Sequence, residues 1–386
     1  MFLDLSKAFD TIDHHILIDK LAYYGLEGSS LNWFQSYLTN RTQAVSIDDI
    51  NSLPQPITTG VPQGSVLGPL LFIIYINDLS AATSKFNPIL FADDTTLIST
   101  LCALVSDSNI NEDISDNINI ELDKIQTWLH ANKLSLNIQK TKYIIFHYRQ
   151  RRNVPTLNIT MNNVAIERVQ TFDFLGLIIS ETLDWSHHIT KISNKISKVL
   201  GVMSRIKRYI SSNILRMIYN SLILPHLYYG ILAWGFSNSR ISKLQKRAVR
   251  TICKEKYNAH TDPLFKNLSL LKVKDIFVLQ CAKFYYRYKH DELPLYFQNF
   301  FIRNSDVHRY PTRNSSELRS NSINNSSTRS CIRFHIPILI NNLPSNVKSK
   351  IDTHSLKGFS HYFKIHLIGK YQLECTIPNC YICSLT

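Results

Sequence analysis

The apolar positions of this 386-residue chain change their period along its length. Near the start they fall in runs of strand length. Phe2, Leu3 and Leu5 surround Asp4, and Pro88-Ile89-Leu90 and Leu97-Ile98 flank Phe91-Ala92-Asp93-Asp94. Two such runs meeting at adjacent acids predict a β-hairpin with carboxylates at its tip, Asp93 and Asp94 pointing to opposite faces. An Asp pair at a tip is ordinarily turn chemistry. Asp4, a lone carboxylate in another apolar strand, changes the picture. Asp4 and Asp93 on neighbouring strands would offer oxygen ligands to two hard divalent cations. Two such ions about 3.5–4 Å apart drive in-line phosphoryl transfer.

Between these strands the spacing turns helical at Ile16, Leu17 and Leu21, and again through Leu31, Phe34, Tyr37 and Leu38, before a short strand pair about Asn40-Arg41. His14 and His15 begin the first helix; adjacent histidines on a helix point apart and make a poor zinc pair. Residues 59–69 hold two prolines and three glycines, a backbone of unusual shape in which Gly64 removes a side chain where something could approach. A buried helix from Leu70 to Ile76 follows. Ile114, Ile118, Leu122, Ile125 and Leu129 form a helical stripe whose neighbours Asn119, Glu121 and Lys124 mark a solvent side, and Trp128 reads as packing. Strands are predicted at Lys142–Phe146, Thr156–Met161 and Val164–Arg168, with a basic loop from Arg149 to Asn153. From His188 onward helices dominate. Ile192, Ile196, Val199, Met203 and Ile206 make a core stripe, the stretch 219–230 reads as buried helix ended by proline and glycine, and Ile336–Leu343 and Leu356–Ile368 predict two tail helices. The fold class is α+β.

Charge divides the chain. Up to residue 150 there are 9 Lys and Arg against 16 Asp and Glu; the remainder has 34 against 13. An acidic front and a basic back suit a metal-binding centre beside a polyanion-binding surface. Lys191, Lys195 and Lys198 share one helix face, and Lys243, Arg247, Arg250 and Lys254 share another. The seven cysteines are odd in number and scattered, which fits a reducing compartment. Cys375, Cys380 and Cys383, with His361 or His366, imitate a zinc knuckle, but only three cysteines at irregular spacing argue against one. No run is long and apolar enough to span a membrane, and no targeting signal is seen, so an intracellular protein of the nucleus or cytoplasm is expected. No Gly-rich phosphate loop, Ser-His-Asp order or internal repeat is found.

Taken together, Asp4 with Phe9, then Gly60-Val61-Pro62-Gln63-Gly64-Ser65, then Phe91-Ala92-Asp93-Asp94 resemble motifs A, B and C of reverse transcriptases, most closely the non-LTR (LINE-type) branch. Leu134-Ser135-Leu136-Asn137 with Lys140-Thr141-Lys142 is similar to motif D. Phe174-Leu175-Gly176, with Leu183, Trp185 and His188, is similar to motif E, the primer grip. Five motifs in family order over about half the chain are far more specific than an Asp pair.

The resemblance implies an RNA-directed DNA polymerase. Its expected parts are a palm over 1–180, a helical thumb and connection over 181–302, a Ser/Asn/Arg-rich linker over 303–330 and a small mainly helical region with a cysteine-containing tail over 331–386. By the same resemblance Asp4, Asp93 and Asp94 would hold two Mg²⁺ (or Mn²⁺) ions, and Lys140, with Lys142 as rival, would stand near the leaving pyrophosphate. Phe9 would exclude a ribose 2′-hydroxyl, Gln63 and Gly64 would contact nucleotide and template, and the basic helix faces would hold the duplex. Partners would be an RNA template, a DNA primer and dNTPs. With only Met1, Phe2 and Leu3 before Asp4, the fingers are expected to be missing and the chain alone inactive. The alternatives are a nucleic-acid-binding remnant without catalysis and a group II intron-type maturase.

Overall fold

The computed structural model describes residues 1–100, 110–151, 153–236, 239–307, 314–319 and 331–371. The chain divides into two compact units, Met1–Phe172 and Asp173–Thr386.

The first unit is built on a five-stranded sheet of β1 (Phe2–Leu3), β6 (Asn87–Phe91), β7 (Asp94–Ile98), β8 (Lys142–Tyr143) and β11 (Glu167–Arg168), in the order β11-β8-β1-β7-β6. All neighbours are antiparallel except β11 and β8. Short strands β2 (Arg41–Gln43), β3 (Ser46–Ile47), β4 (Ile50–Asn51) and β5 (Gln55–Ile57) form a ribbon, β2 pairing β5 and β3 pairing β4. β9 (Thr160–Met161) pairs with β10 (Val164–Ala165). Among the described residues, four α-helices complete the unit: α1 (His14–Tyr23), α2 (Gly28–Leu38), α3 (Leu67–Ile76) and α4 (Ile110–Ala131). One core joins them, with Leu3 and Leu97 from the sheet, Leu17, Leu71 and Phe72 from α1 and α3, and the whole predicted α4 stripe. Asp13 starts α1 by accepting from the backbone of His15 (3.0 Å) and Ile16 (3.1 Å), which satisfies donors that the first turn leaves without partners.

Two expectations are corrected. The strands of the 142–168 stretch are short pieces rather than runs of five or six residues. Glu121 and Asn119 are not on a solvent side. Glu121 is 1% exposed, and Asn119 bonds the backbone of Asn158 and Thr160.

In the second unit a hairpin that begins at the boundary, β12 (Thr171–Phe174) with β13 (Leu177–Ser180), is followed by helices α5 (Ser186–Ile206), α6 (Ser212–Leu222), α7 (Leu224–Tyr228), α8 (Ile231–Trp234), α9 (Ser239–Cys253), α10 (Thr261–Asn267) and α11 (Val273–Lys289). The tail supplies α12 (Ile332–Asn341), α13 (Ser345–Thr353) and α14 (Leu356–Gly369). These tail helices share the core of the others: Ile336, Phe359 and Phe363 are buried in the cluster that holds Ile196, Leu200 and Trp234. Tyr371 fastens the end by donating to Asp275 (2.5 Å) and accepting from the backbone of Lys272 (3.0 Å). No helix among the described residues is long and apolar enough to cross a membrane.

Candidate active site

β1 runs beside β7 with Phe2 opposite Thr96 and Leu3 opposite Thr95, so the register carried one residue further sets Asp4 across from Asp94. Asp93 lies not on a strand but in the two-residue turn Ala92-Asp93 that joins β6 to β7, closed by the Phe91–Asp94 pair. Ala92 adopts a left-handed backbone there, φ +51°, which costs a residue with a Cβ about 1–2 kcal/mol. The site therefore gathers three acids with little to neutralise them. The Asp94 carboxyl is held above the usual carboxylate range, first by desolvation and then by the charges of Asp93 and Asp4. Mutually repelling carboxylates are the donor set a hard divalent cation takes. Among the described residues, no three His, Cys, Asp or Glu side chains already converge into a ligand cluster.

The 134–142 segment is laid along β1 by its backbone. Ser6 donates to Ser135 (2.8 Å), Asn137 donates to Asp4 (2.7 Å), and Leu5 and Leu136 form a bridge. Asn137 also shapes the turn that follows, accepting from the Lys140 backbone at Oδ1 (3.3 Å) and from the buried Thr141 hydroxyl at its carbonyl (2.9 Å). The outcome is Lys140 Nζ 3.9 Å from Asp4 Oδ2, with side chains 70% and 40% exposed. A long, exposed ion pair is worth at most about 1 kcal/mol, so little holds Lys140 in it. Its rival Lys142 is held by Glu167 at 2.5 Å.

The loops after β1 and before α3 are zipped together. Gly60 donates to Ile12 (2.7 Å), Val61 donates to Phe9 (2.9 Å), and buried His14 donates Nε2 to the Gly60 carbonyl (2.8 Å). Gly60 has φ +85°, and a Cβ on it would sit 2.9 Å from the backbone of Asp10, so no other residue fits. The zipper leaves Phe9 half-buried, its ring 4.7 Å from that of Phe72. It also brings Gln63 Nε2 to Asp10 Oδ1 at 2.8 Å. Gly64 is open, with φ +82° and nothing near its missing Cβ. Ser65 ties this loop to the start of α3, donating to the Pro62 carbonyl and accepting from the Gly68 amide.

Two supporting groups escaped the sequence reading. Burial alone would raise the Asp13 carboxyl, yet the Lys133 ammonium at 2.6 Å and the α1 amides hold it below its usual range. Lys20, its pKa lowered by burial, reaches Asp78 (2.6 Å) and the Tyr75 carbonyl (2.6 Å) and lies over the Trp128 ring, which fixes Trp128 as packing. Both contacts join residues far apart in sequence, and no local pattern announces them.

In the second unit Phe174 and Leu175 are half-buried and Gly176 lies at the exposed turn of the β12–β13 hairpin. His188 is buried beside Trp185 and Trp234, and burial, then the nearby lysines, lower its pKa. Of the predicted basic contacts, Lys195, Lys198, Lys243, Arg247 and Lys254 are exposed. Lys191 is paired with Asp173. Arg250 differs from its neighbours. Half-buried, it donates Nε to the Ala259 carbonyl (2.8 Å) and serves the α9–α10 connection. Cys102, Cys375, Cys380 and Cys383 lie outside the described residues, and with them the zinc-knuckle question.

Residues 1–179 match the family described as reverse transcriptase (RNA-dependent DNA polymerase). The chain is 28% identical over 289 residues to the RNA-directed DNA polymerase from mobile element jockey of Drosophila melanogaster, covering 71% of this chain and 30% of that protein. It is 27% identical over 293 residues to the probable RNA-directed DNA polymerase from transposon X-element of the same fly, with the same coverage. The corresponding protein from transposon BS is 28% identical over 296 residues, covering 71% of this chain and 31% of that protein. The chain thus matches a little under a third of the length of these relatives.

Proposed function

We propose, from the premise that residues 1–179 are a reverse transcriptase domain of the non-LTR, LINE type, that this chain is the polymerase segment of a retrotransposon protein. It would copy RNA into DNA by adding dNTPs to a primer 3′-hydroxyl. What supports the reading is the strand register that sets Asp4 across from Asp94, with the Asp93 turn next to them and Lys140 paired to Asp4. On this reading the first unit is the palm and the helices from α5 to α11 are the thumb.

Asp4, Asp93 and Asp94 would hold the two Mg²⁺ ions. When bound, those ions would activate the primer hydroxyl and neutralise the charge that builds as pyrophosphate departs. Lys140, released from its weak pair with Asp4, supplies a cation to the leaving phosphates. Phe9, backed by Phe72, presents a fixed ring beneath the sugar and excludes a 2′-hydroxyl by size. Gln63 keeps its amide oxygen free for a base or sugar while its nitrogen is held by Asp10. Lys195, Lys198, Lys243 and Arg247 contact the duplex through phosphates, which fixes register without reading sequence.

The test is RNA-templated primer extension with Mg²⁺, comparing the protein with Asp93→Asn. The substitution keeps shape and removes a negative ligand, so incorporation is expected to fall by several orders of magnitude while duplex binding persists. Measurable incorporation that is equal in the two proteins would overturn the assignment.

A further inference from the structure

The turn between β12 and β13 is Leu175-Gly176, and both residues have left-handed backbone, φ +47° and +80°. Two-residue hairpins favour this geometry, but a leucine adopts it only where its surroundings hold it there. Here those surroundings are the corner between α7 and α8. The Tyr229 hydroxyl donates to the Leu175 carbonyl, and the Tyr229 ring lies 3.5 Å from where a Cβ on Gly176 would be. The next residue, Gly230, has φ +60°, and a Cβ on it would strike Leu177 at 2.7 Å. Fully buried Trp234 fixes the corner by donating Nε1 to the Tyr229 carbonyl at 2.9 Å. Along β13, the Ile178 amide donates to Nδ1 of buried His188 at 3.2 Å. Tyr229 itself is 56% exposed. Apolar burial therefore gives little reason for its place; the bond from its hydroxyl to the strained turn does.

We infer that Tyr229, with Gly230 beside it, is a positioning residue for DNA synthesis: its hydroxyl locks the Leu175-Gly176 turn in the conformation that receives the 3′ end of the primer. The inference rests on reading Phe174-Leu175-Gly176 as the primer grip. Tyr229 touches neither the acids nor the nucleotide on this assignment. It acts through the hairpin.

The experiment uses the full chain and compares wild type with Tyr229→Phe, which removes one oxygen and keeps the ring. Two quantities are read. One is hydrogen exchange over residues 171–180. The other is the affinity for a template–primer with a recessed 3′ end relative to a blunt duplex of equal length. A lost net hydrogen bond shifts a local equilibrium by roughly two- to ten-fold. Exchange in the hairpin is expected to quicken by about that factor and the preference for the recessed end to fall comparably, with α5 and α9 protection unchanged. Gly230→Ala, which presses on Leu177 with the hydroxyl still present, should lower the same preference further. A wild-type preference that survives Tyr229→Phe, with hairpin exchange unaltered, overturns the inference alone. If wild type shows no preference for the recessed end, the primer-grip reading falls and the inference falls with it.

Discussion

Two carboxylates in the first unit live under opposite conditions. Glu121, on α4, is buried and saturated. It accepts from the Thr83 hydroxyl (2.6 Å), the Ser84 and Lys85 amides (2.9 and 3.3 Å) and the Lys124 ammonium (2.6 Å). Burial alone would raise its pKa, but these donors together bring it down to about 2. Asp94, at the strand start beside Asp4, is exposed, yet its carboxyl is pushed up, by desolvation and by two acids of its own sign. The difference separates two uses of an acid. Glu121 is given every donor it can use and fastens the loop before β6 to α4. Asp94 is left short of positive partners, and what it lacks is what a cation or a phosphate-bound metal brings.

The comparison can be broken most directly at Glu121. A carboxyl whose pKa falls from 4.5 unfolded to about 2 folded contributes about 3 kcal/mol at neutral pH. Glu121→Gln sets an amide N–H₂ against the same donors and should cost about that much, read as faster hydrogen exchange in α4 and the 83–86 loop. An unchanged exchange rate would mean the four bonds are not worth what the depressed pKa implies.

The pH dependence sharpens the same contrast. Because the folded pKa is depressed, the Glu121 contribution is fully present above about 4.5 and is lost as pH falls from there toward about 2. Protection of α4 should decline through that window in wild type, and Glu121→Gln should lack the Glu121 part of the decline. For Asp94 the sign reverses. A raised carboxyl opposes folding in its ionised form, so Asp94→Asn should leave α4 and the hairpin slightly more stable, by less than about 1 kcal/mol given its exposure. A loss of stability in Asp94→Asn would show that its carboxylate makes a structural contribution after all.

Much of the first unit was legible because its signals are local. The hairpin with acids at its tip, the α4 stripe from Ile114 to Leu129 and the glycine-rich loop before α3 all declare themselves within a few residues. Glu121 did not, because a charged residue on the polar side of a helix reads as solvated, and its partners come from a loop far upstream. Arg250 hid its bond for a similar reason. It keeps the spacing of a basic face, but its guanidinium turns inward to the Ala259 carbonyl. The pinning of Leu175 by Tyr229 was also invisible, since its signal is a backbone angle on an ordinary leucine. Periodicity finds faces; it does not find which member of a face has been spent on a bond.

The zipper between Gly60 and the Phe9–Ile12 loop has a consequence for how such a sequence can diverge. Phe9 and Gln63 belong to different motifs, yet their backbones are stitched into one ribbon, and Gln63 is tied to Asp10 besides. Any change that widens the space at Phe9 also shifts the peptide that carries Gln63. On the roles proposed for Phe9 and Gln63, a lineage of these proteins altering its choice of nucleotide would have to renegotiate its hold on the template in the same step, and the two traits would drift as one.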